Sequence, residues 1–142
     1  MIMICNSKTN KKRHNTIAKI LHKALLPYEY ILPDFKIIIY DRCIGCNTQK
    51  STGIYYTKNE IDFNIRQLFD LYNNPDDLCR DKKEHIKLLK TFRQYLIFAL
   101  YHELGHYKSK DYFNNKYNND KIEQLRADYF SLRILKKLKV IK

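Results

Sequence analysis

The strongest constraint on the fold of this chain is an HExxH motif at residues 102–106, at the end of the apolar run from Tyr95 to Leu104. The run predicts a helix. Residues four apart on an α-helix differ by about 40° around its axis, so His102 and His106 share a face and their imidazoles can bind one Zn²⁺. Glu103 follows the first ligand, where its carboxylate can accept a proton from a water at the metal. The motif therefore predicts a zinc site with Glu103 as general base.

Length and hydropathy limit the class of protein. A chain of 142 residues with 44% hydrophobic content predicts a single domain over residues 1–142 with one ordinary core. No apolar run reaches the roughly 20 residues that a membrane-spanning helix needs. The apolar start, Met1 to Ile4, is too short for the apolar region of a signal peptide. We therefore expect a cytoplasmic protein.

The formal charge of +12 is large for this length and is typical of proteins with an acidic partner, such as nucleic acid or a DNA-bound protein. An AT-rich genome offers a second explanation, because Lys, Asn, Ile and Tyr are all abundant here. The basic residues are dispersed, apart from Lys8 to Arg13 and Lys136 to Lys142. Direct nucleic-acid binding and AT-rich coding both remain open.

The cysteines carry a weaker pattern than the histidines. Cys43 and Cys46 form a C-x-x-C pair, but no second pair follows at the spacing of a zinc ribbon, and Cys5 and Cys79 stand alone. In a reducing compartment such a pair is most often two free thiols in a loop. We assign it no function.

Periodicity predicts an α+β chain whose sheet has three mostly antiparallel strands. The second and third strands form a hairpin around Lys58-Asn59. An interior Gly105 costs about 1 kcal/mol of helix propensity, which predicts close approach of another backbone segment there. The predicted elements are a helix at 10–26, strands at 35–40, 53–57 and 60–65, a short helix at 66–72, a long helix at 81–108 and a last helix at 120–139.

The order of these motifs resembles the ImmA/IrrE family of zinc metallopeptidases over roughly residues 10–138. The likeness is carried by Gly-Ile-Tyr-Tyr at 53–56, Glu-Ile-Asp-Phe-Asn-Ile at 60–65, His-Glu-Leu-Gly-His at 102–106 and Ala-Asp-Tyr-Phe at 127–130. The resemblance implies a minimal zincin fold that binds Zn²⁺. It also implies a protein substrate, typically a DNA-binding repressor, and a phage or mobile element as the source, working in a bacterial cytoplasm.

The chain departs from the family at the third ligand, a Glu four residues before the Asp. Aligned on Asp128, that position holds Gln124, a neutral side chain and a poor zinc ligand. The nearest carboxylate, Glu123, is five residues before Asp128, about 140° around an ideal helix instead of about 40°. Three arrangements follow. Glu123 ligates from an irregular turn while Asp128 orients a histidine, which we prefer; Asp128 ligates directly; or the site is weakened and no longer cleaves.

The resemblance also places the substrate. A peptide would pair with an edge strand above the active helix, and the matching strand contains Gly53, Ile54, Tyr55 and Tyr56. A donor to the developing oxyanion is also needed, for which the candidates are Tyr112, Tyr117 and Tyr129.

The sequence thus predicts a zinc endopeptidase with His102, His106 and Glu123 as ligands, Glu103 as base and Asp128 as a supporting residue. Two other functions remain: a zincin-fold binding or structural protein with weakened catalysis, and a small basic protein associated with nucleic acid.

Overall fold

The computed structural model describes residues 2–6, 11–31, 35–40, 52–55, 60–73, 87–109 and 121–142. The chain divides into two compact units, Met1–Phe69 and Asp70–Lys142. The boundary falls inside a helix, α2 (Ile65–Asn73). The prediction of a single domain over residues 1–142 stays a prediction.

The first unit contains a four-stranded sheet with the strand order β1-β2-β4-β3. Its strands are β1 (Ile2–Asn6), β2 (Phe35–Tyr40), β3 (Thr52–Tyr55) and β4 (Glu60–Asn64). β2 pairs in parallel with both β1 and β4, and only β3 and β4 pair antiparallel. The chain therefore has both helices and a sheet, but the prediction of three mostly antiparallel strands is wrong in both number and direction.

The strand that the sequence analysis lacks is β1, which accounts for the wrong number of strands and for one of the two parallel pairings. Five residues at the start of a chain carry too little periodicity to be recognised as a strand alone, and β1 becomes one by pairing with β2 from Ile2↔Phe35 to Asn6↔Ile39. Parallel neighbours need a long crossover between them. The intervening helix, α1 (Lys11–Leu25), provides it.

The core of the first unit lies between one sheet face and α1. Alternate residues of the central strands are fully buried, and the register places Ile37 opposite Ile61 and Ile39 opposite Phe63. The buried stripe of α1, Ile17, Leu21 and Leu25, has the spacing of one helical face. The helix contacts β1 and β2. The predictions of this helix and of the hairpin β3–β4 are confirmed to within two residues.

In the second unit the helix that carries the HExxH motif, α3, spans Phe92–Ser109. The sequence predicted a start near residue 81, but residues 87–91 form a turn and irregular chain. A capping box fixes the start: Gln94 N donates to Thr91 Oγ1 at 3.2 Å, and Thr91 N donates to Gln94 Oε1 at 3.2 Å. These bonds satisfy amides at the helix end that have no intrahelical partner, so the helix begins at Phe92.

The last helix, α4, spans Lys121–Lys137 and ends in a Schellman motif. Val140 N donates to Leu135 O at 2.9 Å and Lys139 N to Lys136 O at 3.1 Å, with Lys139 in the left-handed region at φ 59°. The side chain of Gln94 then donates through Nε2 to Val140 O at 2.9 Å, which joins the start of α3 to the end of α4. None of the helices in the described part of the chain combines the length and apolarity that crossing a bilayer requires.

Candidate metal centre

The buried polar side chains of the described residues are concentrated on α3 and α4. They are His102, Glu103 and His106 on α3, and Asp128 and Ser131 on α4. Burying an ionisable group costs several kcal/mol unless it is paired or binds a metal. Four such groups in one short stretch of two helices mark this region as a candidate functional site.

The two histidines lie side by side on α3, as their spacing predicts. Every residue from Tyr95 to His106 is buried, so this part of the helix is covered on all sides. The imidazole rings of His102 and His106 meet edge to face, with centroids 4.7 Å apart and planes at 87°. Their Nε2 atoms are 3.1 Å apart. Both histidines therefore direct the same ring nitrogen toward one point.

Asp128 of α4 fixes the protonation of the first histidine. Its Oδ1 is 2.7 Å from His102 Nδ1, and both side chains are almost fully buried. A carboxylate can only accept, so Nδ1 carries the proton and donates. In the neutral ring the lone pair is then on Nε2, the atom that faces His106. A carboxylate behind a histidine is the usual support of a metal ligand, because it holds the ring orientation and raises the basicity of the other nitrogen.

Gln124 completes the cluster. Its Oε1 is 3.0 Å from His102 Nε2 and 3.3 Å from His106 Nε2. Gln124 and Asp128 are four residues apart on α4 and so share a face, with the amide at one nitrogen of His102 and the carboxylate at the other. This position departs from the family pattern in the sequence, and the structure brings it to the two histidines.

The three atoms have the spacing of ligands around a tetrahedral metal ion. Zinc bonds of about 2.0–2.1 Å to nitrogen and oxygen, at tetrahedral angles, put neighbouring ligand atoms about 3.3 Å apart. The observed separations are 3.0, 3.1 and 3.3 Å. His102, His106 and Gln124 therefore fit a divalent metal with little rearrangement. Within the described residues no group of three His, Cys, Asp or Glu side chains is arranged to hold a metal. The α4 side chain that lies against both imidazole Nε2 atoms is the amide of Gln124.

Gly105 sets the separation of the two helices at the site. A Cβ at this position would lie 3.2 Å from the Ala127 Cα and 3.0 Å from Phe130 Cδ1. The predicted close approach of another backbone segment is thus confirmed. One helical turn from the site on each helix, Ser131 Oγ donates to Phe98 O at 2.7 Å, a buried bond that also joins α3 to α4.

The other predicted residues are placed as follows. Glu103 is buried on α3, and Tyr129 is about half exposed on α4. Gly53, Ile54 and Tyr55 lie in β3, an edge strand of the sheet. Glu123 belongs to α4, but its side chain is outside the described part of the structure, as are Tyr56, Tyr112, Tyr117, Cys43 and Cys46.

Comparisons of the chain with protein-family models, with curated proteins and with solved structures find no match. The functional interpretation therefore depends on the motif and on the geometry of α3 and α4.

Proposed function

We propose that this protein is a zinc-dependent endopeptidase with a minimal zincin fold like that of the ImmA/IrrE family, acting in the cytoplasm. The observation that supports the proposal is the convergence of His102 Nε2, His106 Nε2 and a side-chain oxygen of α4 at separations of 3.0–3.3 Å. The hydrogen bond from His102 to Asp128 adds to it, since a histidine that binds a metal almost always donates its other ring N–H to a carboxylate, carbonyl or water.

Each residue has a defined part in peptide hydrolysis. His102 and His106 would hold Zn²⁺, which when bound supplies a Lewis acid and an activated water. Glu103, buried next to the first ligand, accepts the proton of the attacking water and delivers it to the leaving amine. Asp128 holds His102 in the orientation and tautomer that ligation requires. No covalent intermediate with the protein is needed.

The substrate we propose is a protein, and a DNA-binding repressor is the class that the family resemblance implies. Among the described strands β3 lies at one edge of the sheet, so an extended peptide could add to it through main-chain hydrogen bonds. The charge of +12 would favour a substrate that is bound to DNA or is itself acidic. A phage or mobile-element product in a bacterial cytoplasm fits both features.

A second function is supported by one observation. The side chain of α4 that contacts both histidines is a neutral amide, which would compensate less metal charge than a carboxylate. A zincin-fold protein that binds zinc but has lost turnover would keep the histidine pair and the Asp128 support. Turnover decides between the two functions.

The test compares wild type with Glu103→Gln and His102→Ala, each assayed for bound zinc and for cleavage of a peptide library by mass spectrometry. We expect one zinc per chain in wild type and in Glu103→Gln, and cleavage about 10²–10⁴-fold slower in Glu103→Gln because the base is removed. His102→Ala should lose both zinc and cleavage.

Stoichiometric zinc without cleavage in wild type would favour the binding protein. A wild type that takes up no zinc would contradict both functions.

A further inference from the structure

We infer that Gln124 is the third metal ligand, through Oε1, so that the centre uses two imidazoles and one neutral amide instead of two imidazoles and a carboxylate. The inference rests on the proposed function only in requiring that the histidines bind a divalent metal. The sequence instead predicts a carboxylate, Glu123, as the third ligand.

The lone pairs and the spacing of the atoms at the site support this assignment. Asp128 holds the proton of neutral His102 on Nδ1, so His102 Nε2 carries a lone pair. The Oε1 of Gln124 is a carbonyl oxygen with lone pairs alone, and it lies 3.0 Å from that nitrogen. Neither atom can donate to the other. The three atoms, His102 Nε2, His106 Nε2 and Gln124 Oε1, are 3.0–3.3 Å apart, which is the spacing of ligands around one cation.

The position of Gln124 on α4 also supports the assignment. Gln124 is one turn before Asp128, and the two side chains hold opposite nitrogens of the same imidazole. Glu123 is displaced from Gln124 by about 100° around the helix axis. The bond from Asp128 to His102 fixes the rotation of α4 relative to α3, so residue 124 is at the position that faces both histidines. The close approach of α3 and α4 at Gly105 brings residue 124 near enough for the glutamine amide to contact both histidines.

The ligand set has a chemical consequence. Two imidazoles and an amide carry no negative charge, so none of these three ligands would neutralise the charge of a divalent ion. A site with fewer charged ligands binds its ion more weakly. We therefore expect that a carboxylate placed at residue 124 would raise zinc affinity, which is the opposite of what a substitution at an optimised ligand normally does.

The experiment measures zinc dissociation constants by chelator competition in the full-length chain, together with the visible absorption of the Co²⁺ form, whose bands respond to ligand identity. The variants are Gln124→Glu, Gln124→Ala and Glu123→Gln, with His106→Ala as the reference for loss of the site. We expect Gln124→Ala to bind zinc at least about tenfold more weakly and Gln124→Glu at least about tenfold more tightly. Both should shift the cobalt bands. Glu123→Gln should match wild type in affinity and spectrum.

The outcomes separate this inference from the proposed function. If Glu123→Gln loses zinc while Gln124→Ala retains it, the amide assignment is overturned and the zinc site stands. If Gln124→Ala binds as wild type does, the amide faces the histidines with its nitrogen or not at all, and the inference is again overturned. Zinc binding that is absent in wild type, or unchanged in His106→Ala, overturns the proposed function itself. Circular dichroism of the metal-free variants shows whether each is folded.

Discussion

At the scale of single residues, the buried pair of His102 and Asp128 is the contact on which the proposed metal centre depends most. Substitution of a carboxylate behind a metal-binding histidine typically costs 10- to 100-fold in metal affinity. We predict a loss of that size for Asp128→Ala, measured by chelator competition. Asp128→Asn, which keeps an acceptor oxygen but loses the charge, should show a smaller loss.

Ser131→Ala is the matched control for Asp128, because it removes another buried polar contact of α4, the bond to Phe98 O, without touching a histidine. It should lower the free energy of unfolding by about 1 kcal/mol and leave zinc affinity unchanged. Equal zinc affinity in Asp128→Ala and Ser131→Ala would show that Asp128 has only a structural role.

Gly105 gives a second prediction, in which the sign of the effect is informative. At an exposed helix position Gly→Ala stabilises by about 1 kcal/mol. Here the added methyl would meet the Ala127 backbone at 3.2 Å, and backbone cannot yield as a flexible side chain can. Overpacking costs about 1–3 kcal/mol, so we expect Gly105→Ala to lower the free energy of unfolding in urea denaturation. Zinc affinity should fall as well, because wider helix spacing moves Gln124 away from the histidines.

A more stable Gly105→Ala variant would show that α3 and α4 separate easily. That result would also contradict the view that the close approach of these helices positions the centre.

At the scale of elements, the start of α3 depends on the side chain of Gln94. Its oxygen accepts from Lys90 N at 2.6 Å and Thr91 N at 3.2 Å, and its nitrogen donates to Val140 O at 2.9 Å. Loss of a cap residue typically costs about 0.5–2 kcal/mol. We predict that Gln94→Ala lowers the free energy of unfolding more than Thr91→Ala does, because it also removes the bond to the end of α4.

Gln94→Glu separates the two roles of that side chain. The carboxylate keeps the acceptor oxygens for the capping box but has no proton for Val140 O. Its stability should lie between wild type and Gln94→Ala in the same urea denaturation experiment. A Glu variant no more stable than the Ala variant would indicate that the capping box contributes little.

The same elements show what the sequence could and could not predict. The positions of α1, β2 and the hairpin follow from local hydrophobic periodicity, which is clear in these segments of the sequence. The start of α3 was wrong by about ten residues because the apolar pattern continues through Leu89, whereas the helix start is set by Thr91 and Gln94. Thr91 and Gln94 have the spacing of a capping box in the sequence, and a capping box is a better indicator of a helix start than the apolar pattern is.

For the site, the histidine pair followed from spacing alone, but the contact of Gln124 with both histidines did not. The alignment on Asp128 pointed to residue 124, and the ligand chemistry of glutamine argued against it. Which atom of α4 reaches the histidines depends on the rotation of one helix against another, and that rotation is fixed by Asp128 and Gly105 together. No local pattern contains it.

At the scale of the whole molecule, the sheet was mispredicted because parallel pairing joins strands far apart in sequence. Phe35 to Tyr40 is recognisable as a strand, but α1 separates it in the chain from its neighbour β1, and β3 separates it from its neighbour β4. Short-range signals favour antiparallel hairpins, since a two-residue turn is visible in sequence and a crossover partner is not.

The net charge is also a property of the whole molecule, and its distribution bears on the rival function in nucleic-acid binding. Residues 1–69 hold 11 Lys and Arg against 5 Asp and Glu, and residues 70–142 hold 16 against 10, so each unit has an excess of six. Positive charge that is shared equally between the two units favours weak, non-specific binding to a phosphate backbone over recognition of one DNA sequence. We therefore predict binding to duplex DNA of any sequence at low salt, measured by fluorescence anisotropy, with affinity falling steeply as salt rises.

The control is a chelator. If zinc and charge serve separate purposes, a chelator and His106→Ala should leave DNA affinity unchanged while they abolish peptide cleavage, because phosphate contacts by surface Lys and Arg do not require the metal. Sequence-specific binding that persists at about 0.2 M salt would favour nucleic-acid recognition as the function, since non-specific contacts are lost there. DNA affinity that falls with the metal would instead place the DNA surface at α3 and α4, and the substrate would then be expected to reach the centre while bound to DNA.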